Sequence, residues 1–346
     1  MYGETTKSNY SQFSSILGKM ILILNRSGGH GMIVFSAKIA AKHQDTLKKK
    51  FPNQSFVFCT SIEEVREYIT DAEILVTFGV DIDESLIKAA NQLKWIHVLS
   101  AGVEELPLSR IEEKGIIVTN AKGIHAIQMS EYAISMLLQV YRREKVIMKN
   151  EEKRIWNKSI RINEITGKTI AIVGTGAIGR ELARLAKAFR MKTIGISRSG
   201  RTYEYFDENY PIKDLDHALR EADMVVSVVP STKETKGLFT YHEFLQMKES
   251  AVFLNMGRGD AVVEEDLLQA IRSEEIAHAV LDVFQVEPLP EEHPFWKEEN
   301  ITITPHLSGL SPQYMNRALD IFERNLENYR NGSKELENTI DIKRGY

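Results

Sequence analysis

The sequence predicts an α/β protein of two doubly wound units, each with a parallel sheet covered by helices on both faces. Three observations predict this fold class. Short apolar runs alternate with amphipathic stretches along most of the chain, which is the order of strands joined by crossover helices. The alternation occurs in two series, one on each side of a long helical pattern. The length of 346 residues also exceeds the usual size of a single hydrophobic core, so two domains are expected.

The first series starts at residue 20, after a polar and aperiodic leader over residues 1–19 that we expect to be disordered or a remnant of cloning. Residues 20–24 (MILIL) have the pattern of an opening strand. Further strands are predicted by the apolar runs SFVF, AEILVTF and KWIHVL, and helices by SAKIAAKHQDTLKKKF, SIEEVREYI and DESLIKAANQL.

The stretch HAIQMSEYAISMLLQVYRREKVIMK, residues 125–149, has apolar residues at helical spacing and predicts one long helix between the two series. The second series starts at Lys168. Its predicted strands are KTIAIV, KTIGIS, DMVVSVV, AVFLN, HAVLDVF and ITITP, and its predicted helices are GRELARLAKAFR, HALREA, residues 241–247 and EEDLLQAIRS.

The last pattern, SGLSPQYMNRALDIFERNLENYRNG, predicts a final helix that ends at the stop signal Gly332. No strand pattern follows it. We therefore infer that this helix packs back on the first domain and that the second unit is inserted in the first. The expected domains are residues 20–123 with 308–346, and residues 124–307.

Composition excludes several functional classes. Hydrophobic residues make up 43% and charged residues 27% of the chain, the balance of an ordinary globular protein. A formal net charge of -4 argues against a nucleic-acid partner. No apolar run approaches the roughly 18 residues of a membrane span, and no signal peptide is recognisable. Cys59 is the single cysteine, which suits a reducing compartment, so a cytoplasmic location is expected.

A glycine-rich turn directly follows the first strand pattern of the second series. Residues 174–179 read GTGAIG, and a helical pattern follows. Here Gly174 permits a tight turn, Gly176 lets the backbone approach a pyrophosphate, and Gly179 lets helix and strand pack closely. This context predicts a Rossmann-like dinucleotide site, with a turn that serves only packing as the alternative. The expected cofactor contacts are Gly174, Gly176, Ala177, Ile178 and Gly179.

The next predicted strand leads into ISRSGR, residues 196–201. It ends at Ser197, 18 residues after Gly179, where an NAD-binding chain would carry an acid for the adenosine ribose. An acid would repel a 2′-phosphate, whereas Arg198 and Arg201 can pair with it and Ser197 and Ser199 can donate hydroxyls. NADP(H) is therefore the favoured cofactor and NAD(H) the alternative, with a solvated basic turn as the competing interpretation.

Three polar residues follow later strands of the second series. Arg258 lies in NMGRGD, Glu287 in LDVFQVEP and His306 in TPHLSG. The carboxyl ends of parallel strands face the ligand crevice of an open α/β sheet, so strand-end residues are site candidates. Each of them alone also suits a purely structural role, as a turn residue, a loop residue or a buried histidine.

The chain resembles the D-isomer-specific 2-hydroxyacid dehydrogenase family, in its glyoxylate/hydroxypyruvate reductase-like form, over nearly all of residues 20–332. The matching motifs are GTGAIG, VVPSTKETKGLF, NMGRGD, LDVFQVEPLP and ITPHLSG, in the family's order and at similar spacing. The resemblance implies two Rossmann-like or flavodoxin-like domains, with the cofactor domain, 124–307, inserted in the substrate-binding domain. It also implies a homodimer.

The resemblance further implies the roles of individual residues. Arg258, Glu287 and His306 occupy the positions of the family's active site. The segment 100–103 matches the loop that binds the substrate carboxylate through backbone N–H groups, and Arg258 also contacts the substrate. The substrate loop consists of Ser100, Ala101, Gly102 and Val103, and further cofactor positions are Pro230, Met256, Gly257 and Asp282.

The residue chemistry agrees with these roles. Reduction of a 2-keto acid needs a proton donor that titrates near neutrality beside the developing alkoxide, and His306 suits that task. An ionised Glu287 nearby would stabilise the imidazolium and orient the ring. The planar fork of Arg258 can bind a carboxylate and polarise a carbonyl. No metal site is expected, because HExxH and CxxC patterns do not occur in the sequence.

The expected activity is therefore NAD(P)H-dependent reduction of a small 2-keto acid to the D-2-hydroxy acid, with glyoxylate or hydroxypyruvate as favoured substrates. Two alternatives remain open. One is an NAD-dependent 3-phosphoglycerate dehydrogenase, and the other is a dinucleotide-sensing interaction protein, since transcriptional corepressors are similar to this family.

Overall fold

The computed structural model describes residues 30–333 and 335–342. These residues form two compact units. The first unit comprises the described chain up to Ile124 and from Pro312 onward, and the second unit comprises His125–Ser311. The leader expected over residues 1–19 and the strand expected over residues 20–24 lie outside the described residues.

The first unit is built on a parallel sheet of five strands. In chain order, its elements up to residue 120 are β1 (Met32–Phe35), α1 (Ala41–Lys50), β2 (Phe56–Phe58), α2 (Ile62–Tyr68), β3 (Ala72–Thr77), α3 (Glu84–Ala89), β4 (Trp95–Val98), α4 (Leu108–Glu113) and β5 (Ile117–Asn120). The strand order is β2-β1-β3-β4-β5, the order of flavodoxin-like sheets.

The structure differs from the sequence-based prediction at the start of this unit. Strand β1 was not expected, and the helix expected over residues 36–51 begins only at Ala41. The three residues Ile33, Val34 and Phe35 are fully buried. A short run that is buried on both faces of a sheet has no polar alternation, so its pattern merges with that of the apolar stretch that follows.

The second unit is built on a parallel sheet of seven strands. Its elements are α5 (Ala126–Tyr141), α6 (Glu144–Glu152), β6 (Thr169–Val173), α7 (Ala177–Ala188), β7 (Lys192–Ser197), β8 (Glu208–Pro211), α8 (Leu215–Glu221), β9 (Met224–Ser227), α9 (Tyr241–Gln246), β10 (Val252–Asn255), α10 (Glu264–Arg272), β11 (His278–Leu281) and β12 (Ile301–Ile303). The strand order is β12-β11-β10-β9-β6-β7-β8. This is the Rossmann pattern of two halves that meet between β6 and β9.

Two features of the second unit correct the sequence-based prediction. The single helix expected over residues 125–149 is two helices, α5 and α6, because Arg143 adopts a left-handed backbone with φ 57° and interrupts the hydrogen-bond ladder. Strand β8 was not expected, since its sequence ENYP is polar and ends in proline. An edge strand tolerates both features, because only one of its sides pairs with a neighbour.

The last helix, α11 (Tyr314–Arg330), belongs to the first unit. The ring of Phe322 stacks on Trp95 with centroids 5.6 Å apart and meets Phe35 edge-on at 5.6 Å. All three side chains are fully buried. This helix therefore covers one face of the five-stranded sheet.

The seven-stranded sheet is buried on both faces. On β10, Phe253 and Leu254 belong to two different hydrophobic clusters, and both are fully buried. Burial of both faces is typical of parallel sheets that are flanked by helices. The predicted fold class, two Rossmann-like or flavodoxin-like α/β units, is confirmed. None of the helices in the described part of the chain is both long enough and apolar enough to cross a membrane.

Candidate active site

The carboxyl edge of the seven-stranded sheet collects most of the expected site residues. Its strands all pair in parallel, so the loops that follow them emerge on the same edge. The strand order reverses between β6 and β9. Ligands of open α/β sheets bind at such a reversal, outside the carboxyl ends of the strands.

The glycine loop after β6 has the geometry that the motif requires. Gly174 has a φ of +114°, and a Cβ placed on it would lie 2.7 Å from the carbonyl oxygen of Val228. A Cβ on Gly179 would lie 2.0 Å from the carbonyl oxygen of Gly174. Larger residues at these two positions would force the turn away from β9 and separate helix α7 from the strand.

The start of α7 fits the pyrophosphate of a dinucleotide. Gly176 is the N-cap residue, its position carries no side-chain cap, and a Cβ built there would meet no atom within 4 Å. The first amides of the helix, from Ala177 to Gly179, have no carbonyl partner within the helix, and the helix dipole favours negative charge there. These residues would hold the phosphates through backbone N–H groups.

The turn after β7 presents the expected basic residues. The hydroxyl of Ser197 accepts the amide of Gly200 at 3.1 Å. Gly200 has a φ of +67°, and a Cβ placed on it would lie 2.7 Å from the backbone nitrogen of Pro211. The turn is therefore fixed against β8. Arg198 and Arg201 are both exposed, as is Ser199.

Tyr203 is a further member of this corner that sequence reasoning missed. The guanidinium carbons of Arg201 and Arg180 each lie 5.4 Å from the centroid of its ring, a distance at which cation–π attraction operates. Arg180 belongs to the first turns of α7, so the tyrosine links the glycine-loop helix to the basic turn. The only signal in the sequence is that Tyr203 lies two positions after Arg201. Such spacing is common and does not by itself indicate a contact.

His306 and Glu287 form the closest pair of the expected catalytic residues. The Nδ1 atom of His306 lies 2.7 Å from Oε2 of Glu287, and the two side chains are 52% and 35% exposed. The other carboxylate oxygen of Glu287 accepts the amide of Phe284 at 2.9 Å. The carboxylate is thereby oriented, and Nε2 is the imidazole nitrogen that remains for a substrate oxygen.

The loop that carries Arg258 is braced by a buried asparagine. The side chain of Asn255 donates to the carbonyl of Arg258 at 3.0 Å and accepts the amide of Gly257 at 3.2 Å. A Cβ on Gly259 would lie 2.0 Å from the backbone of Phe284, so this loop packs directly on the loop of Glu287. Arg258 itself is exposed. Sequence reasoning missed Asn255, because a polar residue at the end of a buried strand has no distinctive motif.

The other expected cofactor positions have different surroundings. Pro230 is exposed after β9, whereas Met256 and Asp282 are buried to 1% and 0% exposure. A Cβ on Gly257 would lie 2.6 Å from the carbonyl oxygen of Val229. Because the side chains of Met256 and Asp282 are buried, their contacts with a cofactor stay a prediction.

The expected substrate loop lies in the first unit, directly after β4 and Leu99. The hydroxyl of Ser100 lies 3.0 Å from the carbonyl of Gly102 and 3.3 Å from that of Phe78, and its single proton is shared between these two acceptors. Ala101 is exposed and Val103 is buried. The Ser100 hydroxyl thus links the loop to the segment after β3 at the carboxyl edge of the sheet.

His125 is another residue that sequence reasoning missed. Burial lowers the pKa of His125, and the positive charge of Arg258 adds to this effect. A hydrogen bond to the backbone of Gly309 raises the pKa and only partly offsets the two. Its Nδ1 lies 3.3 Å from Nε2 of Gln128, which donates to the carbonyl of Gly309 at 3.1 Å. The imidazole of His125 therefore lies within electrostatic reach of Arg258, and both burial and that charge favour its neutral form.

One group among the described residues has the spacing to hold a metal ion, namely Asp216, His242 and Glu243. His242 Nε2 lies 3.2 Å from the carboxylate of Asp216. The carboxylate of Glu243 accepts both the amide and the hydroxyl of Thr240 in the capping box of α9. The group is thus accounted for by a surface ion pair and a helix cap.

Comparison with known proteins identifies the family. Residues 134–308 match the family model described as D-isomer specific 2-hydroxyacid dehydrogenase, NAD binding domain. The chain is 33% identical over 273 residues to a glyoxylate reductase from Thermofilum pendens, a match that covers 77% of this chain and 80% of the relative.

Two solved structures are similar over nearly the whole chain. A D-isomer specific 2-hydroxyacid dehydrogenase family protein from Aeromonas salmonicida has a TM-score of 0.78 and 34% identity, covering 90% of this chain and 99% of the other. The NADPH-dependent glyoxylate/hydroxypyruvate reductase of Sinorhizobium meliloti, in complex with NADP and sulfate, has a TM-score of 0.75 and 27% identity, covering 92% and 100%. The chain belongs to the D-isomer specific 2-hydroxyacid dehydrogenase family and is an NAD(P)-dependent oxidoreductase.

Proposed function

We propose that this chain reduces a small 2-keto acid, of the glyoxylate or hydroxypyruvate type, to the D-2-hydroxy acid. The observation that carries this proposal is the 2.7 Å contact between His306 Nδ1 and Glu287 Oε2, at the carboxyl edge of a dinucleotide-binding sheet. A histidine paired in this way is a suitable general acid at neutral pH. When bound, the reduced nicotinamide supplies the hydride to the carbonyl carbon.

His306 provides the proton. In the protonated imidazolium, Nδ1 donates to Glu287 and Nε2 donates to the carbonyl oxygen of the substrate. As negative charge develops on that oxygen, the Nε2 proton moves to it and leaves a neutral imidazole. Glu287 stabilises the cation before transfer and fixes the ring orientation, because its second oxygen is held by the amide of Phe284.

We propose that Arg258 binds the carboxylate of the substrate. The guanidinium can form two parallel hydrogen bonds with a carboxylate, and it is exposed at the end of its strand. The positive charge also polarises the carbonyl as the alkoxide develops. For the loop over residues 100–103, binding of the substrate through backbone N–H groups stays a prediction.

The proposed function is tested by measuring NADPH and NADH oxidation in parallel with a panel of 2-keto acids. The panel contains glyoxylate, hydroxypyruvate, pyruvate, phenylpyruvate and branched 2-keto acids. We expect turnover with the smallest members. The panel also includes 3-phosphohydroxypyruvate as a comparison substrate. If this substrate has the highest kcat/KM, a 3-phosphoglycerate dehydrogenase is favoured instead. Negligible turnover together with NAD(P)H-dependent capture of a protein partner would favour a dinucleotide-sensing interaction protein.

We propose NADP(H) as the preferred cofactor, because an exposed turn with Arg198 and Arg201 follows β7. Replacing Arg198 with aspartate is expected to lower the ratio of kcat/KM with NADPH to kcat/KM with NADH. Charge-assisted hydrogen bonds are each worth about 1.5–3 kcal/mol, so the ratio should fall roughly ten- to a few-hundredfold. Steady-state kinetics with both cofactors measures it.

The matched control for this change is Arg220→Asp. Arg220 is also exposed in the second unit, and its guanidinium donates to Gln246 at 2.6 Å and 3.0 Å. Its replacement should leave the cofactor ratio unchanged. If Arg198→Asp and Arg220→Asp give the same ratio as the unmodified chain, the basic turn is only a solvated surface.

We propose that the chain forms a homodimer through an apolar surface of α6 and the segment after it. Trp156 is 88% exposed, and Ile155 and Met148 are more than half exposed. Burial of such side chains in a second copy would remove apolar area from water. We expect sedimentation to show a dimer at micromolar concentration and the double change Ile155→Ser with Trp156→Ser to shift it toward monomer. A monomeric unmodified chain would contradict this.

We propose a cytoplasmic location. Reduced nicotinamide cofactors are regenerated by metabolism inside cells, where free thiols also stay reduced. The cysteine Cys59 is free and buried. Fractionation of cells that express the tagged chain should recover it in the cytosolic fraction, and its recovery only outside the cells would contradict this location.

A further inference from the structure

The backbone of His306 has an unusual conformation that its surroundings must maintain. Its φ is 51°, in the left-handed region that non-glycine residues seldom occupy. Such a conformation persists only where neighbouring contacts hold it. A catalytic role for those contacts rests on the proposed function of His306 as the general acid.

Asp282 is the centre of the contacts that hold the loop. Its carboxylate accepts the amide of Leu307 at 3.0 Å through Oδ1 and the amide of Ser308 at 2.9 Å through Oδ2. Its main-chain carbonyl accepts the amide of His306 at 2.9 Å. The side chain is fully buried. One residue therefore fixes three consecutive amides, with the imidazole at the first of them.

Two hydroxyl groups extend this arrangement to helix α5. The hydroxyl of Thr304 lies 2.6 Å from Oδ1 of Asp282, and the hydroxyl of Tyr132 lies 2.7 Å from Oγ1 of Thr304. Threonine has a single hydroxyl proton, and a carboxylate can only accept. Thr304 therefore donates to Asp282, and Tyr132 donates to Thr304.

The environment of Tyr132 supports this direction. Its side chain is buried, with 9% exposed. Burial raises the pKa of Tyr132 well above its usual value, the hydrogen bond to Thr304 opposes the rise and the charge of Asp282 adds to it. The phenol thus stays protonated at any pH used for assay and remains a donor.

We propose that Thr304, oriented by Tyr132, is a positioning residue for His306 in keto-acid reduction. Its hydroxyl fixes the Asp282 oxygen that also receives the Leu307 amide. It thereby holds the turn that directs the imidazole toward both Glu287 and the substrate oxygen. Neither hydroxyl contacts the reacting atoms, so both act through the loop.

Replacing Thr304 with valine keeps the shape of the side chain and removes only the hydroxyl. Asp282 then loses one of the two donors to Oδ1, and the Tyr132 hydroxyl loses its acceptor. We expect kcat with the best keto acid to fall roughly 10- to 100-fold, because a small displacement of a general acid reduces proton transfer steeply. The KM for the cofactor should stay within about twofold, since the glycine loop lies on another strand. Thr304→Ser restores the donor and should recover most of kcat.

The experiment compares the full chain with its Thr304→Val, Thr304→Ser, Tyr132→Phe and Thr302→Val variants. Thr302 is the matched control, because it is a buried threonine of β12, two residues before Thr304, and its hydroxyl lies 2.8 Å from Nε2 of His278. Each variant is assayed for kcat and KM, and hydrogen exchange is measured for the peptide over residues 304–310. We expect faster exchange and lower kcat for Thr304→Val, a smaller effect of the same kind for Tyr132→Phe, and neither for Thr302→Val.

The outcomes separate this inference from the proposed function. Unchanged kcat and unchanged exchange in Thr304→Val, or a failure of Thr304→Ser to recover kcat, would overturn the positioning role. An equal loss of kcat in Thr302→Val would also overturn it, because the effect would then reflect general destabilisation. If none of the keto acids supports NAD(P)H oxidation by the unmodified chain, the proposed function fails. The exchange data alone then decide whether Thr304 holds the loop. Should Thr304→Val not fold, Tyr132→Phe carries the same test.

Discussion

Replacing His306 with asparagine is expected to lower kcat for keto-acid reduction by about 10²- to 10⁴-fold, the usual contribution of a positioned general acid. The asparagine amide can still donate a hydrogen bond near the position of Nδ1, so Glu287 retains a partner. It cannot release a proton to the developing alkoxide, however. Stopped-flow or steady-state kinetics with NADPH and the best keto acid measures the loss.

The same variant should bind the cofactor normally. His306 is exposed at the end of β12, whereas the glycine loop follows β6, so the dissociation constant for NADPH should change by less than about threefold. His242→Asn is the control, because His242 is another exposed histidine of the second unit paired with a carboxylate. If His306→Asn weakens cofactor binding as much as it lowers kcat, the loss is structural and the acid role is wrong.

Replacing Glu287 with glutamine is expected to lower kcat for keto-acid reduction. Glutamine keeps the size of the side chain but removes the negative charge 2.7 Å from Nδ1 of His306. Hydrogen bonds to charged groups are worth about 1.5–3 kcal/mol, against about 0.5–1.5 kcal/mol for neutral ones. The general acid therefore loses support for its cationic form, and kcat should fall roughly tenfold while the KM for NADPH changes by less than about threefold.

Steady-state kinetics with NADPH and the best keto acid measures this loss. Asp216→Asn is the matched control, since it neutralises the carboxylate of another exposed histidine pair. That control should leave kcat unchanged. An unchanged kcat in Glu287→Gln would show that the charge of the carboxylate does not support proton transfer from His306.

The fold class could be predicted because most strands and helices have sequence patterns of their own. The run KTIGIS, for example, coincides with β7, and the glycine loop follows β6 as its motif requires. The patterns fail where local sequence and tertiary position conflict. β1 is buried on both faces and so shows no alternation, and β8 is polar because it lies at the edge of its sheet.

The break between helices α5 and α6 could not be predicted from the sequence either. Arginine has a good helix propensity, so Arg142 and Arg143 fit the helical pattern. Arg143 nevertheless has a left-handed backbone, with φ 57°, between the two helices. Propensity is a weak prior, and the observed backbone departs from it here.

The candidate site was only partly predictable. Arg258, Glu287 and His306 could be found because they follow strands and belong to recognisable motifs. The residues that orient them, such as Asn255 and Thr304, are ordinary polar residues whose partners lie more than 20 positions away or across a loop. Pairings of that kind depend on the three-dimensional positions of the strand ends, which sequence spacing does not encode.

The most direct test of the account is the identity of the product. Hydroxypyruvate is incubated with NADPH and the purified chain, and the glycerate formed is separated by chiral chromatography. The account predicts one D-glycerate for each NADPH oxidised. Formation of L-glycerate, or NADPH oxidation without a hydroxy acid product, would contradict it.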